Sequence, residues 1–539
     1  MNVRRLNALA LCAVLMASCT RVQTSVAGRH PWTQPHILRY ADISEPDHFN
    51  PLLSTMDLVY DLDSLVFSFL IMADQHGKLV GDLATEVPTL RNGGISKDGR
   101  TYVYHLHRRV RWHDGAPFTS ADVKFTWQAV INPNNNTLHR EGYDRITSID
   151  TPDKYTVVIH LKERYPPLVT RFFTPLQEGV KGILPAHLLS GLHDINQIPF
   201  NAHPIGTGPF KFSSWERGRR IVLVRNDDYF KGRPKLKEII FNVIPDDNSI
   251  LNAVRIHDID LALPPPTLYD QYKALPDVSV TLVPWNAQNV LAINQRHPGL
   301  HDLAVRKAIS MAIDYQSIIE KIEHGVGMIP HDIVPEVALG YTNNPPYRYD
   351  PAAARTLLDR AAWKVGSDGI RQKNGQRLDF VIHVSSGSAN GRLIATFLQP
   401  LLRAIGVNLD IKMYPYNVIF SHDGPLYTFK YDFADYSTTQ PYDPDNLFYF
   451  GCDYWFPKGE NIYGICDPTF DRYEKAGLRT DDPAERAKLY HQAETEFHNS
   501  VGLIPLYNLR RPIVHNPDLK NFSTAPASAP WWNAWQWDI

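Results

Sequence analysis

Between residues 380 and 413 the hydrophobic period changes twice, and this stretch constrains the fold more than any other. Phe380 to Val384 reads as a short buried strand. From about Asn390, the residues Leu393, Ile394, Phe397, Leu398, Leu401, Leu402 and Ile405 recur at three-and-four spacing, the stripe of an amphipathic helix. Gly406 ends that pattern, and Val407, Leu409, Ile411 and Met413 then alternate as a second strand. A strand–helix–strand unit of this kind demands a parallel pair with a right-handed crossover, which places the chain among α/β proteins. Pro400 is at odds with the helix, where an interior proline costs about 3 kcal/mol unless the fold absorbs it.

Elements of both kinds alternate elsewhere without a fixed-period repeat. Thr101 to Leu106 is rich in β-formers, and Arg111-Trp112-His113-Asp114-Gly115 closes that unit with a turn. Thr119 or Ser120 is the expected N-cap of a helix continuing from Val123 to Ile131. Phe210 to Trp215 and Ile221 to Arg225 flank a Gly-containing loop as a hairpin. A further helix is expected from Asp482, with Pro483 at its first position, Glu485 completing a capping box, and Leu489, Ala493 and Phe497 as its buried face. At 539 residues the chain is long enough for two or three such domains.

The first nineteen residues form a different kind of segment. Arg4 and Arg5 precede a mostly apolar run from Leu6 to Ala17, and Ala17-Ser18-Cys19 follow. This is an export signal, too short to span a bilayer. Cys19 after Met16-Ala17-Ser18 resembles a bacterial lipobox, so the expectation is lipidation at Cys19; plain secretion with cleavage near Ser25-Val26-Ala27 is the competing reading. Beyond the signal only Cys452 and Cys466 remain, and two cysteines in an oxidising compartment suggest one bridge rather than a metal pair. The charge balance, 55 basic against 57 acidic residues, argues against a nucleic-acid binder.

Several segments taken in order resemble the bacterial extracellular solute-binding protein family 5, which includes the dipeptide- and oligopeptide-binding proteins of ABC importers. The run from Tyr104 to Val123, containing Trp112-His113-Asp114-Gly115, is similar to the family's signature segment. Gly206-Thr207-Gly208-Pro209-Phe210 with Arg225 to Phe230, Asn294 with Val305 to Asp314, and Asp443-Pro444-Asp445-Asn446 are further landmarks, and Cys452 and Cys466 stand where dipeptide-binding members place a disulfide. The resemblance implies a two-lobed periplasmic-binding-protein fold (type II, large peptide-binding class) with an extra subdomain in lobe I. Lobe I would comprise residues 36–285, with the subdomain near 58–198, and a return segment 505–539; lobe II would be 286–504. It further implies a monomer that closes on a peptide or peptide-like ligand without a cofactor, delivers it to the permease subunits of an ABC transporter, and is tethered to the membrane through Cys19.

In peptide-binding relatives an aspartate holds the ligand's free ammonium. The dipeptide pattern puts it three residues before Asp443, where this chain has Gln440, so the anchor is either missing or displaced to Asp435. The segment containing Asp435, Tyr436, Ser437, Thr438 and Gln440 is the leading cleft candidate, against an ordinary surface loop. Trp285, Asn289 and Tyr414 are weaker candidates, with core packing as the alternative. Asp443 reads rather as part of a turn that starts a helix. His105 and His107 share a strand face but have no third metal ligand in sight. Three other functions compete. The same fold could take an oligosaccharide or metal chelate, or could serve as a sensory lipoprotein; a secreted enzyme is the third, although Gly387-Ser388-Ala389-Asn390-Gly391 puts Ala389 where a nucleophile elbow needs serine.

Overall fold

The computed structural model describes residues 28–539 except 55, 139, 141, 177–181, 332, 335, 337, 440 and 526–530. The signal segment, Cys19 and Gln440 therefore lie outside the described residues. Among the described residues no helix is long and apolar enough to cross a membrane.

One ten-stranded mixed sheet organises the chain. Its strands are β1 (Ile37–Asp42), β2 (Phe210–Glu216), β3 (Arg220–Arg225), β4 (Glu238–Val243), β5 (Leu261–Ala262), β6 (Ser279–Ile293), β7 (Asp379–Ser385), β8 (Asn408–Tyr414), β9 (Phe433–Thr439) and β10 (Ile504–His515). They lie in the order β8-β7-β9-β6-β10-β5-β1-β4-β3-β2. The central strands β6 and β10 are long, at 15 and 12 residues, and run antiparallel from one half of the sheet into the other. Where they cross, the register breaks: Pro284 pairs with Arg510 but Gln288 pairs with Asn508, so Trp285, Asn286 and Ala287 face the single residue Leu509. A bulge of this kind bends a strand and loosens its ladder locally.

Each half has its own packing. On the β1–β5 side, Leu38, Phe241, Trp531 and Trp537 belong to one buried cluster. That cluster also takes in Tyr102, Tyr104, Ile149, Val157 and Ile159 from a three-stranded antiparallel sheet built of Thr101–His105, Ile146–Asp153 and Thr156–Leu161. On the other side the alternation of strand side chains feeds two clusters. Leu291 and Ile293 of β6 join one with Ile382, Leu398 and Phe433, while Val290 and Ala292 join the other with Phe450 and Phe497.

The local expectations hold with informative exceptions. Helix α1 spans Asp57–Val66, α2 Ala389–Arg403 and α3 Pro483–Ser500. Strands β7 and β8 are parallel through α2, from Asp379 opposite Asn408 to Ser385 opposite Tyr414. Pro400 stays inside α2, and its carbonyl accepts from Ala404 N–H at 3.1 Å. Gly406 adopts φ +86°, and a Cβ there would meet the Arg371 side chain at 2.7 Å. Thr119 caps Ser120–Ile131 in a reciprocal box with Asp122. In α3 the buried face differs from expectation. Asp482 accepts from Ala484 and Glu485 N–H as a cap. Ala493 and Phe497 are buried as expected, but Leu489 is only half-buried, and Arg486, Tyr490 and Glu494 join the buried face. The reason is pairing: Arg486 forms an ion pair with Asp443, and Glu494 accepts from Asn446 at 3.0 Å. Charged groups go inside when a partner satisfies them.

Cys452 and Cys466 form a disulfide closing a loop of 14 residues. Replacing both with serine should lower stability by about 3 kcal/mol, since a loop of this size loses roughly that much unfolded-state constraint. Urea unfolding followed by circular dichroism checks this, with the folded far-ultraviolet spectrum expected to be retained.

Candidate functional site

Beside this register break lies a cleft of about 620 Å³. Its walls are the loop after β1 (Ile43, Ser44), the first turns of α1 (Asp57, Leu58, Asp61), the Pro264-Pro265-Pro266 run after β5, Trp285 of β6, and Arg510 to Pro512 of β10; Glu323 reaches it from the other half of the molecule. The volume is that of a pocket for a small organic ligand.

The electrostatics of the cleft centre on Arg511. Its guanidinium lies 4.3 Å over the Trp285 ring and makes ion pairs with Asp57 at 3.5 Å and Asp61 at 3.6 Å. Asp57 and Asp61 sit one turn apart on α1, so one cation can face both. Burial pushes the Asp61 carboxyl up to about 7; Arg511 works against this, while Asp57 and Asp42 add to it. Burial likewise raises Asp42 and Asp247. Arg510 and Arg511 thus share the cleft with five carboxyl groups, Asp42, Asp57, Asp61, Asp247 and Glu323, and this excess favours a ligand bringing positive charge.

A second group of acids lies deeper, on the lobe II side. Glu323 accepts from Asn390 Nδ2 at 2.8 Å and hydrogen-bonds Tyr507; burial raises its pKa against these contacts. Asp435 on β9 is only 6% exposed. Burial pushes it up to about 7, with a hydrogen bond from Asn289 lowering it and the nearby Glu323 raising it. Gly391 makes room for it, since a Cβ there would stand 2.7 Å from Asp435 Oδ1. The other oxygen, Oδ2, is buried and has no hydrogen-bond partner among the described residues.

The expected residues separate into groups. Trp285 lines the cleft, Asn289 and Asp435 meet, and Ser437 and Thr438 lie on β9 opposite Asn289 and Gln288. Tyr436 is half-buried, its hydroxyl 2.6 Å from that of Tyr463 and its ring edge-on to Phe420. Tyr414 stacks on His383 at the end of β8. Asp443 is buried against Arg486 and Thr170, and Asn446 caps Leu447–Phe450, in keeping with a turn that starts a helix. Ser388 caps α2, its Oγ accepting from Gly391 N–H at 3.0 Å. Asp42, Asp57, Asp61, Asp247, Glu323 and Arg511 went unnoticed in the sequence. Only the four-residue spacing of Asp57 and Asp61 could have flagged any of them.

Strand β9 has one further property. Strand β7 pairs with it only through Phe433, Ala434 and Asp435. Beyond Asp435, β9 continues through Tyr436, Ser437 and Thr438 with β6 on one side and, among the described residues, no β7 pairing on the other. That edge offers main-chain donors and acceptors next to the buried carboxylates.

Comparison with known proteins agrees with this architecture. Residues 78–455 match the family model described as bacterial extracellular solute-binding proteins, family 5 Middle. The oligopeptide-binding protein AppA of Bacillus subtilis is 28% identical over 443 residues, covering 78% of this chain and 77% of the relative. The nickel-binding periplasmic protein of Escherichia coli is 27% identical over 495 residues, covering 88% and 90%. The crystal structure of NikZ from Campylobacter jejuni in complex with Ni(L-His) superposes with a TM-score of 0.74 at 28% identity, covering 94% of this chain and 100% of that one. The fold is therefore the two-lobed periplasmic-binding-protein class, with an added subdomain in lobe I. This chain belongs to the bacterial extracellular solute-binding proteins of family 5.

Asp435 contributes to one measurable property. Its folded pKa of about 7 stands above the ordinary carboxylate value. Between about pH 4 and 7 the native protein keeps a proton that the unfolded chain has released, so this group's stabilising contribution is complete at acid pH and is lost as pH rises through 7. Asp435→Asn should accordingly narrow the gap between the melting temperatures at pH 5 and pH 8. Thermal melts of both proteins across that range decide it.

Proposed function

We propose that this protein captures a peptide or peptide-like ligand between its lobes in the cell envelope, closes on it, and presents it to the permease subunits of an ABC transporter. The observation that carries the reading is the edge of β9 from Tyr436 to Thr438, which β7 does not pair among the described residues, beside the buried Asp435. An extended peptide can add to such an edge through its main chain, which gives affinity with little side-chain selectivity. Asp435 Oδ2 is free to receive the ligand's ammonium, taking the place of the aspartate that the dipeptide pattern puts at Gln440. Trp285, Asn289, Tyr414, Ser437, Thr438 and Gln440 complete the proposed site. The relative AppA, named as an oligopeptide-binding protein, supports the same ligand class.

The working parts follow the sheet. Residues 36–285 and 505–539 would move as lobe I, with a subdomain near 58–198, and 286–504 as lobe II, about the break at Pro284 and Gln288. A ligand touching both lobes favours the closed form because only there are all its contacts made. The protein would act as a monomer, held to the membrane through a lipid on Cys19, and would make and break no bond in its ligand. A nickel chelate is the second reading, favoured by the similarity to NikZ and by the carboxylates lining the cleft.

Calorimetric titration with tri- to pentapeptides tests the proposal. Peptides with a free amino terminus should bind at pH 7.5, and N-acetylation should weaken them at least tenfold, since it leaves the buried carboxylate unpaired. Asp435 must ionise to hold an ammonium, so affinity should fall about tenfold per pH unit below 7. Binding of nickel(II)–L-histidine with no response to any peptide would favour the second reading.

A further inference from the structure

Lobe I and lobe II also meet far from the hinge strands, through polar groups that belong to neither carboxylate group of the cleft. Asp481, just before α3, has a side chain only 1% exposed. Arg164 of lobe I forms an ion pair with it at 3.3 Å and donates to the Arg479 carbonyl at 2.7 Å. Tyr102 OH, on the first strand of the lobe I three-stranded sheet, lies 3.3 Å from the other Asp481 oxygen. The turn preceding that strand is shaped for the contact. Gly99 has φ +67°, and a Cβ on it would stand 2.8 Å from the Asp481 carboxylate and 2.5 Å from Arg164 Nε.

The contact continues along the same interface. Thr170 donates to Asp443 at 3.3 Å, and Tyr442 N–H donates to the Leu176 carbonyl at 3.3 Å. Arg171 is buried beside Tyr165, Asp445, Tyr449 and Asp443. Burial works against its charge, but these four neighbours outweigh it and hold the guanidinium above its ordinary pKa. Residues from 99 to 176 thus face residues from 442 to 481, and the chain joins the two sets through the strands that break register at Pro284 and Gln288. Any rotation there must part or join this interface.

We propose that Arg164, Tyr102 and Asp481 form an interlobe latch that stabilises the closed form before any ligand arrives. The inference rests on the closure reading above and adds that closure is partly intrinsic. A polar latch suits this purpose. Its parts are well hydrated once separated, and Arg164, about a third exposed at 34%, is reachable by water even in the closed form. Such a pair shifts an equilibrium by about fivefold or less, enough to bias the lobes without locking them.

Single-molecule fluorescence transfer tests it, with dyes at the exposed positions Leu192→Cys and Val365→Cys, on opposite lobes. In ligand-stripped protein, Arg164→Ala and Asp481→Asn should each lower the closed fraction about threefold. The double variant should fall no further, since both act through one contact. A tryptic digest of casein should restore closure in every variant. An unchanged closed fraction in both single variants, with the digest still raising it, would overturn the latch and leave ligand-driven closure standing. Fully additive effects in the double variant would overturn the latch as well. No response to the digest in wild type or variants would remove closure itself, and the latch with it.

Discussion

The antiparallel pairing of β6 with β10 is the constraint on which the rest of the molecule depends. These two strands cross from one half of the sheet to the other and carry β5 and β1 on one flank and β9 on the other. A continuous ladder would make the sheet one rigid slab. The break at Trp285-Asn286-Ala287 opposite Leu509 removes ladder bonds between the two long strands and loosens the sheet there. The same break turns Trp285 outward, where Arg511 covers its ring and reaches Asp57 and Asp61 on α1. The register break and the cleft are therefore built from the same few residues.

Buried acids are the second theme. Asp61 and Asp435, both pushed up to about 7, are poorly solvated and incompletely paired. Ordinary cores avoid such groups because an unpaired buried charge is costly. Their presence beside a cleft fits a site that a cationic group can complete, and strongly shifted groups gather at functional sites for that reason. Asp443 and Arg486 show the contrasting case. They form an ion pair inside the fold that ties α3 to the turn at Asp443.

Much of the fold was legible because local chemistry and tertiary packing agreed. The stripe from Ile394 to Leu402, the Gly406 stop and the alternating strand after it form the expected parallel unit, although Leu393, expected on the same face, is exposed. Thr119 and Asp482 cap the helices anticipated from their positions. The α3 face was misjudged because periodicity counts apolar residues only. Arg486 and Glu494 read as solvent-facing until their partners, some 43 and 48 residues away in the chain, bring them inside. The cleft acids went unseen for the same reason, since Asp42, Asp61, Asp247 and Arg511 come from four separate segments.

The sequence by itself determined the element types, the crossover connection and the family, because periodicity, caps and ordered motifs are properties of neighbouring residues. Tertiary structure alone decided which acids are buried, which strand edge stays open and where the central ladder breaks. Desolvation, strand register and ion pairing are set by residues distant in the chain, and their energies exist only once folding has brought those residues together.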